Sequence, residues 1–341
     1  MSSSDSKGKG KEPASLPPLP GPASGSANPA ASLSALWAYL LPALNHIVKS
    51  PTNDSHKAPS IEMGFYAGIH TACYNYFTSQ SETKSNARTA GEPASGTDLY
   101  EQLDKYYIDA ARDVLLGAPQ DDSTLIHYIV PCFNRFSAGA MSVNRLLNYV
   151  NRHYVRRCAV DEDKGWLRLN DVLESVAKTI TADDSREKIS ERLKEKRTDE
   201  LKKWGYRVDG SGVPLASAEA CAEAASSPDR VVSVSSLAHR RFRTEVFEPL
   251  LAVPVVKGKK TKNKIPKATG APPPLPKGRL ARAVKELLES KGGDEEERSR
   301  LVRDLAAALR MVGVRPDHPL RKRLDKFMAS PSRLGLHGVG D

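Results

Sequence analysis

The sequence is poor in aromatic residues and cysteine, and it has no long apolar run. Aromatic residues make up 6% of 341 residues, and the four cysteines stand far apart, with no CxxC pair and no histidine at metal-ligand spacing: Cys73, Cys132, Cys158 and Cys221. Neither a disulfide framework nor a structural zinc site is therefore expected, as is usual in a reducing compartment. Because no stretch of about 18 consecutive apolar residues occurs, no membrane-spanning helix is expected.

Motifs of nucleotide-binding and hydrolytic enzymes are also missing. The sequence has no GxxxxGK[ST], no GxGxxG after a strand, no HExxH and no GxSxG. His70 and His153 fall on predicted helices and His318 at a predicted turn, where structural roles are more common than catalysis. We therefore predict no catalytic residue, no cofactor and no metal. The first residues also lack the apolar block of a secretory signal.

The net charge of +10 is concentrated in part in one short run without an acidic residue. Its six lysines are Lys257, Lys259, Lys260, Lys262, Lys264 and Lys267. The following ATGAPPPLPKG cannot build a packed core, so we interpret the run as a solvated linker. A nuclear-import signal and a nucleic-acid site are the alternatives.

Apolar residues recur three and four positions apart through the first part of the chain, which predicts amphipathic helices. The first helix begins at Leu33 with Ser32 as N-cap, and Pro42 is expected to kink it. The second covers roughly 61–80. The third runs from about Asp98 to Leu116, and Thr97 is the predicted N-cap.

Residues 123–157 are predicted to hold two further helices, divided near Pro131 or around 137–139. No strand-like alternation precedes residue 160. The sequence therefore predicts an all-α fold, with five helices forming a bundle.

The later part of the chain changes in character. Residues 185–204 are charged on nearly every side and predict a surface helix or a projecting insert, whereas 209–229 look loosely structured. Three short amphipathic helices follow the linker, and Gly292 and Gly313 are suited to end the first two. The predicted division is a disordered tail (1–31), the five-helix bundle (33–160), a charged insertion of low complexity (161–236), a smaller helical unit (237–330) interrupted by the Lys/Pro-rich linker 256–278, and a flexible end (331–341).

Three segments in this order suggest a family: YNYFTS (Tyr74–Ser79), YVNRHYVRR (Tyr149–Arg157) and LAHRRFRTEVFEPLL (Leu237–Leu251), with LYEQL (Leu99–Leu103) between the first two. Together they resemble the amino-terminal region of a cullin, most closely the cullin that carries F-box adaptors. YVNRHYVRR is the specific part.

The resemblance implies cullin-repeat helical bundles stacked as a stalk. Residues 33–160 would be the first repeat and 237–330 part of the second, with 161–236 inserted between them. A complete cullin has a third repeat and a globular half that holds a RING protein, neither of which is found here. A fragment, a truncated product or a natural adaptor-binding piece is therefore expected, without ubiquitin transfer of its own.

The resemblance also places an adaptor-binding surface on the second and fifth helices. Its predicted residues are Tyr66, Ile69, His70, Tyr74, Met141, Asn144, Arg145, Asn148, Tyr149 and Arg152. Tyrosine and arginine are frequent in the centre of protein interfaces. Ile69 could face the adaptor or the core, and Tyr74 and Tyr149 could be core aromatics whose hydroxyls reach solvent.

The predicted function is a non-catalytic scaffold of a ubiquitin ligase, located in cytoplasm and nucleus. It would bind a Skp-type adaptor carrying F-box proteins, and a RING protein only if the missing half is present. The alternatives are an adaptor-sequestering module without ligase activity, a cullin that binds a BTB-type adaptor, and a nucleic-acid binder acting through the lysine run.

Overall fold

The computed structural model describes residues 28–49, 57–85, 95–181, 183–253, 278–290 and 294–330. In these ranges the chain is helical and forms no β-strand, only an isolated bridge between Tyr206 and Val213. The predicted all-α class is confirmed. The lysine run, Gly292, the flexible end and most of the predicted tail lie outside the described residues.

The first part of the chain forms the predicted series of amphipathic helices. They are α1 (Leu33–Val48), α2 (Met63–Ser85), α3 (Thr97–Leu116), α4 (Asp122–Leu146) and α5 (Asn148–Val150), which continues through a π-helical turn (Asn151–Val155) into α6 (Arg156–Val160). The predicted N-cap of α1 is confirmed, because the Ser32 hydroxyl accepts a hydrogen bond from the backbone N–H of Ala35 at 3.2 Å.

The remaining helices are shorter on average. They are α7 (Leu169–Ala177), α8 (Arg186–Lys202), α9 (Leu215–Ala225), α10 (Val234–Phe242), a second π-helical turn (Arg243–Phe247), α11 (Glu248–Leu251), α12 (Arg279–Glu289), α13 (Glu295–Met311) and α14 (Pro319–Met328). Gly313 follows α13 with a φ of +83°, the left-handed conformation that the sequence predicted there.

Two predicted helix boundaries are wrong. The N-cap of α3 is Gly96, in the left-handed region at φ 91°, whereas Thr97 is already helical and its side chain hydrogen-bonds Tyr154. Helix α4 runs unbroken through Pro131 and Gly139, and the break comes at Leu147. Buried apolar residues on both sides of the proline hold α4 against α1, α10, α12 and α13, so tertiary packing outweighs the local cost of proline.

The expectation of a loose segment at 209–229 is also wrong. Residues Leu215–Ala225 form α9, whose Ala218, Cys221 and Ala222 are buried in one cluster with Leu201 and Trp204. Alanine is the strongest helix former, and its small side chain lets helices approach closely. Two arginines of the next helical stretch bond to the end of α9: Arg240 to the carbonyl of Glu223 and Arg243 to that of Ala225. Basic side chains are favourable at a helix C-terminus.

One apolar core joins the early helices to the late ones. Buried residues of α1–α6 and of α10–α14 belong to a single cluster that extends from Leu36 to Leu324. Ion pairs and hydrogen bonds also connect the early helices to the late ones. The Arg241 guanidinium pairs with the Asp104 carboxylate, and the Tyr100 hydroxyl donates to the carbonyl of Val232 at 2.9 Å. The division into two repeats stays a prediction, and the two regions pack on each other directly.

Candidate functional site

The predicted surface residues of α2 lie on one exposed strip of that helix. Tyr66, His70 and Tyr74 are four residues apart, so they recur about once per turn and project on the same side. All three are exposed, Tyr66 at 37% and Tyr74 at 51% of their full area. Three ring-bearing side chains of α2 are therefore available to a partner.

Tyr149 lies opposite this strip, on α5. Its ring meets the rings of His70 and Tyr74 edge-on, each at a centroid distance of 5.8 Å, and it contacts buried Phe77 at 5.3 Å. On its other side His153 stacks on it at 4.0 Å. Such aromatic pairs add about 0.5–1.5 kcal/mol to the gain from burial alone. We call Tyr66, His70, Tyr74, Tyr149 and His153 the aromatic patch.

Burial raises the pKa of the half-buried Tyr149 hydroxyl, and the neighbouring Tyr74 raises it further. Cys73 lies beneath the patch, 1% exposed, and burial raises the pKa of its thiol to about 12. The thiol is therefore uncharged at neutral pH and acts as an apolar filler. The patch consists of aromatic rings over an apolar base.

Tyr66 ties the outer end of the patch to α4, because its hydroxyl donates to the carbonyl of Arg145 at 3.2 Å. The Arg145 side chain is exposed, as are those of Asn148, Arg152 and Met141, which is 47% exposed. Arg145 and Arg152 thus add cationic groups, and Asn148 a polar group, to the exposed surface of the helices that pack on α2. Arg152 lies in the π-helical turn Asn151–Val155, a type of irregularity that is frequent at functional sites.

Two of the predicted surface residues have other positions. Ile69 is completely buried in the core, so its predicted contact with an adaptor is corrected to a packing role. Asn144 is partly buried and its amide is engaged inside the molecule. Its Oδ1 accepts hydrogen bonds from the Asn151 amide at 2.9 Å and from the backbone N–H of Ser235 at 3.1 Å.

Asn144 and Asn151 together cap α10 from another part of the chain. Asn151 Oδ1 accepts from the backbone N–H of Val234 at 3.0 Å, next to the bond from Ser235 to Asn144. The hydroxyl of Ser233, which precedes α10, bonds to Glu223 at 2.6 Å instead. The first N–H groups of a helix need such acceptors. This clamp fixes the helix that carries Tyr149 and Arg152 against α10.

His153 and Asn151 were not among the predicted surface residues. The four-residue spacing of Tyr149 and His153 was the available signal, since residues four apart are neighbours on a helix. No local pattern indicates that Asn151 caps α10, because the backbone N–H that it accepts from, that of Val234, lies 83 positions away.

The described residues show no group of three or more metal-ligating side chains, and their four cysteines are all buried thiols. No helix in the described ranges has the length and apolar character needed to cross a bilayer.

No family model and no solved structure matches the chain. Two curated proteins do. Cell division control protein 53 of Saccharomyces cerevisiae is 23% identical over 194 residues, which cover 54% of this chain and 23% of that protein. Cullin-1 of Caenorhabditis elegans is 26% identical over 108 residues, 27% of this chain and 14% of that protein. The chain thus spans less than a quarter of either relative. These similarities support a cullin-like amino-terminal region, without singling out one member of the family.

Proposed function

We propose that the chain is the adaptor-binding part of a cullin-type scaffold of a ubiquitin ligase, and that it binds a Skp-type adaptor carrying F-box proteins. The similarity to two cullin-like relatives supports the scaffold. One structural observation carries the choice of surface: Tyr149 is enclosed by rings from two helices on an exposed face of the molecule.

The chemistry of the aromatic patch suits a protein partner. Tyrosine and histidine offer large contact areas with few rotatable bonds, so little entropy is lost when they are covered. Two exposed cations belong to this region: Arg145, whose backbone carbonyl accepts from Tyr66, and Arg152, three positions after Tyr149. An acidic partner would therefore be attracted to the rim while its apolar side chains cover the patch.

The proposed mechanism is positional and needs no catalytic group in this chain. A stiff helical body holds the adaptor and its substrate receptor at one place. A scaffold that also holds a conjugating enzyme raises the effective concentration of the substrate lysine at that enzyme. The continuous core from Leu36 to Leu324 supplies the stiffness in this part of the chain. The proposed location, cytoplasm and nucleus, follows from this role.

The direct test is calorimetric titration of the full chain with a purified Skp-type adaptor and, separately, with a BTB-type adaptor. Saturable binding of the Skp-type adaptor, with weaker or no binding of the other, is the expected result. Tighter binding of the BTB-type adaptor would change the assigned adaptor class. Failure of both to bind would overturn the adaptor-binding function.

A further inference from the structure

Two cavities share lining residues, and the first also includes Tyr66 of the aromatic patch. The first, of about 750 Å³, lies between residues 57–61, which precede α2, and helix α4. The second, of about 900 Å³, lies between α4, α9 and the loop 205–213. Met141 and Met311 line both, so the two cavities are adjacent, and we call them together the methionine groove.

Among the described residues, the charged side chains that line the methionine groove are all cationic: Lys57, Arg145, Arg207 and Arg310. All four side chains are exposed. Among the described residues, none of the four lies within ion-pair distance of a carboxylate. Asp209 does not line the groove; hydrogen bonds from Ser211 lower the pKa of its carboxyl group, and the charge of Arg207 lowers it further. The whole chain has 41 Asp and Glu residues and 51 Lys and Arg residues. The excess of cations at the groove is therefore larger than the composition of the chain would give.

The floor of the groove is apolar and adaptable. Ile61 and Phe133 line the first cavity, buried Cys221 lines the second, and the two methionines lie between. Methionine has a flexible, polarizable side chain that adjusts to different partners. A large apolar side chain of a ligand would therefore find a hydrophobic seat, with cations around it.

One wall of the groove comes from the region predicted as an insertion. Residues Gly205, Arg207 and Pro214 belong to it, and they face α4 across the second cavity. At the other end, Tyr66 and Arg145 belong both to the groove and to the candidate adaptor surface. The insertion thus extends a binding surface beyond the aromatic patch.

We propose that the methionine groove binds a linear acidic segment of a partner protein, anchored by large apolar side chains. Charge complementarity selects the acidic residues, because four exposed cations line the groove and no acid does in the part of the chain that the structure describes. The apolar floor selects the anchors. The proposal does not depend on the identity of the adaptor, since the segment is recognised by its chemistry alone.

Fluorescence anisotropy with three short labelled peptides tests this on the full chain. One alternates Asp or Glu with Leu, the second replaces Leu with Ser, and the third replaces the acids with Lys. Only the first should bind. The double variant Arg207→Glu, Arg310→Glu should weaken its binding at least about tenfold. Arg186→Glu, Arg303→Glu changes the net charge equally at exposed positions outside the groove and should have little effect.

Circular dichroism of each variant checks that the helices are retained. Three results would overturn the proposal: no binding of the acidic Leu peptide, equal binding of the Ser or Lys peptide, or equal weakening by the two double variants. Equal binding of the Ser peptide would indicate a general attraction for anions, including nucleic acid, without the apolar seat.

Discussion

The ring of His70 on α2 meets the ring of Tyr149 on α5 edge-on, at a centroid distance of 5.8 Å, although 79 positions separate the two residues in the sequence. Both lie on the face that the sequence predicted for partner binding. His70 is exposed and Tyr149 is half-buried beneath its neighbours. Because the two rings are in contact, α2 and α5 form one surface, and a partner that covers the His70 ring also contacts α5.

The clamp at the start of α10 predicts an effect on stability. Asn144→Ala removes the acceptor for the Ser235 N–H and for the Asn151 amide. Both donors are partly buried, so we expect a loss of about 1–2 kcal/mol in the free energy of unfolding, measured by urea denaturation. Asn148→Ala, at an exposed position two residues after α4, is the matched control and should cost under about 0.5 kcal/mol. Equal effects of the two variants would show that the Asn144 hydrogen bonds at the start of α10 do not stabilise the fold.

Gly313 predicts a second, steric effect. Its φ is +83°, and a Cβ at this position would lie 2.5 Å from the backbone nitrogen of Ala225. Gly313→Ala should therefore destabilise the fold by more than about 1 kcal/mol, with a lower thermal midpoint. Gly64→Ala places its Cβ in open space near the start of α2 and should be neutral or slightly stabilising. If both variants melt alike, α13 and α9 do not approach as closely as described.

The buried His239 predicts a pH dependence. Burial lowers the pKa of its imidazole from 6.5 to about 4, and its Nε2 lies 2.9 Å from the Ser137 hydroxyl. The unfolded chain takes up this proton near pH 6.5 and the folded chain only near pH 4. The contribution of His239 to stability is thus complete above pH 6.5 and is lost as the pH falls from 6.5 towards 4.

His239→Gln keeps a hydrogen-bonding group but does not titrate. Its free energy of unfolding should therefore fall less between pH 7 and pH 4 than that of the unaltered chain, as followed by denaturant midpoints. His127→Gln, at an exposed position on α4, should follow the unaltered chain. An identical acid response of His239→Gln and the unaltered chain would show that the imidazole is not buried as a neutral group.

The sequence predicted those features that depend on local chemistry. The Ser32 cap, the helical period of α1 and α3, and the left-handed Gly313 each need only a few neighbouring residues. The failures depend on distant contacts. Helix α4 continues through Pro131 because other helices hold it, and α9 forms where its alanines meet Leu201 and Trp204.

The candidate site divides in the same way. The four-residue spacing on α2 predicted which of its side chains share a face. The segment YVNRHYVRR (Tyr149–Arg157) indicated the other helix of the site. Spacing could not tell that Ile69 points into the core or that Asn144 caps α10. Both positions are decided by elements far away in the sequence.

The most direct measurement is the affinity of the double variant Tyr66→Ala, His70→Ala for a purified Skp-type adaptor, by calorimetric titration. Leu116→Ala, at an 83% exposed position on α3, is the control, and circular dichroism monitors the fold. We expect the double variant to lose about 2 kcal/mol or more of binding free energy, roughly thirtyfold in affinity, while the control binds normally. An unchanged affinity in a folded double variant would contradict adaptor binding at the aromatic patch.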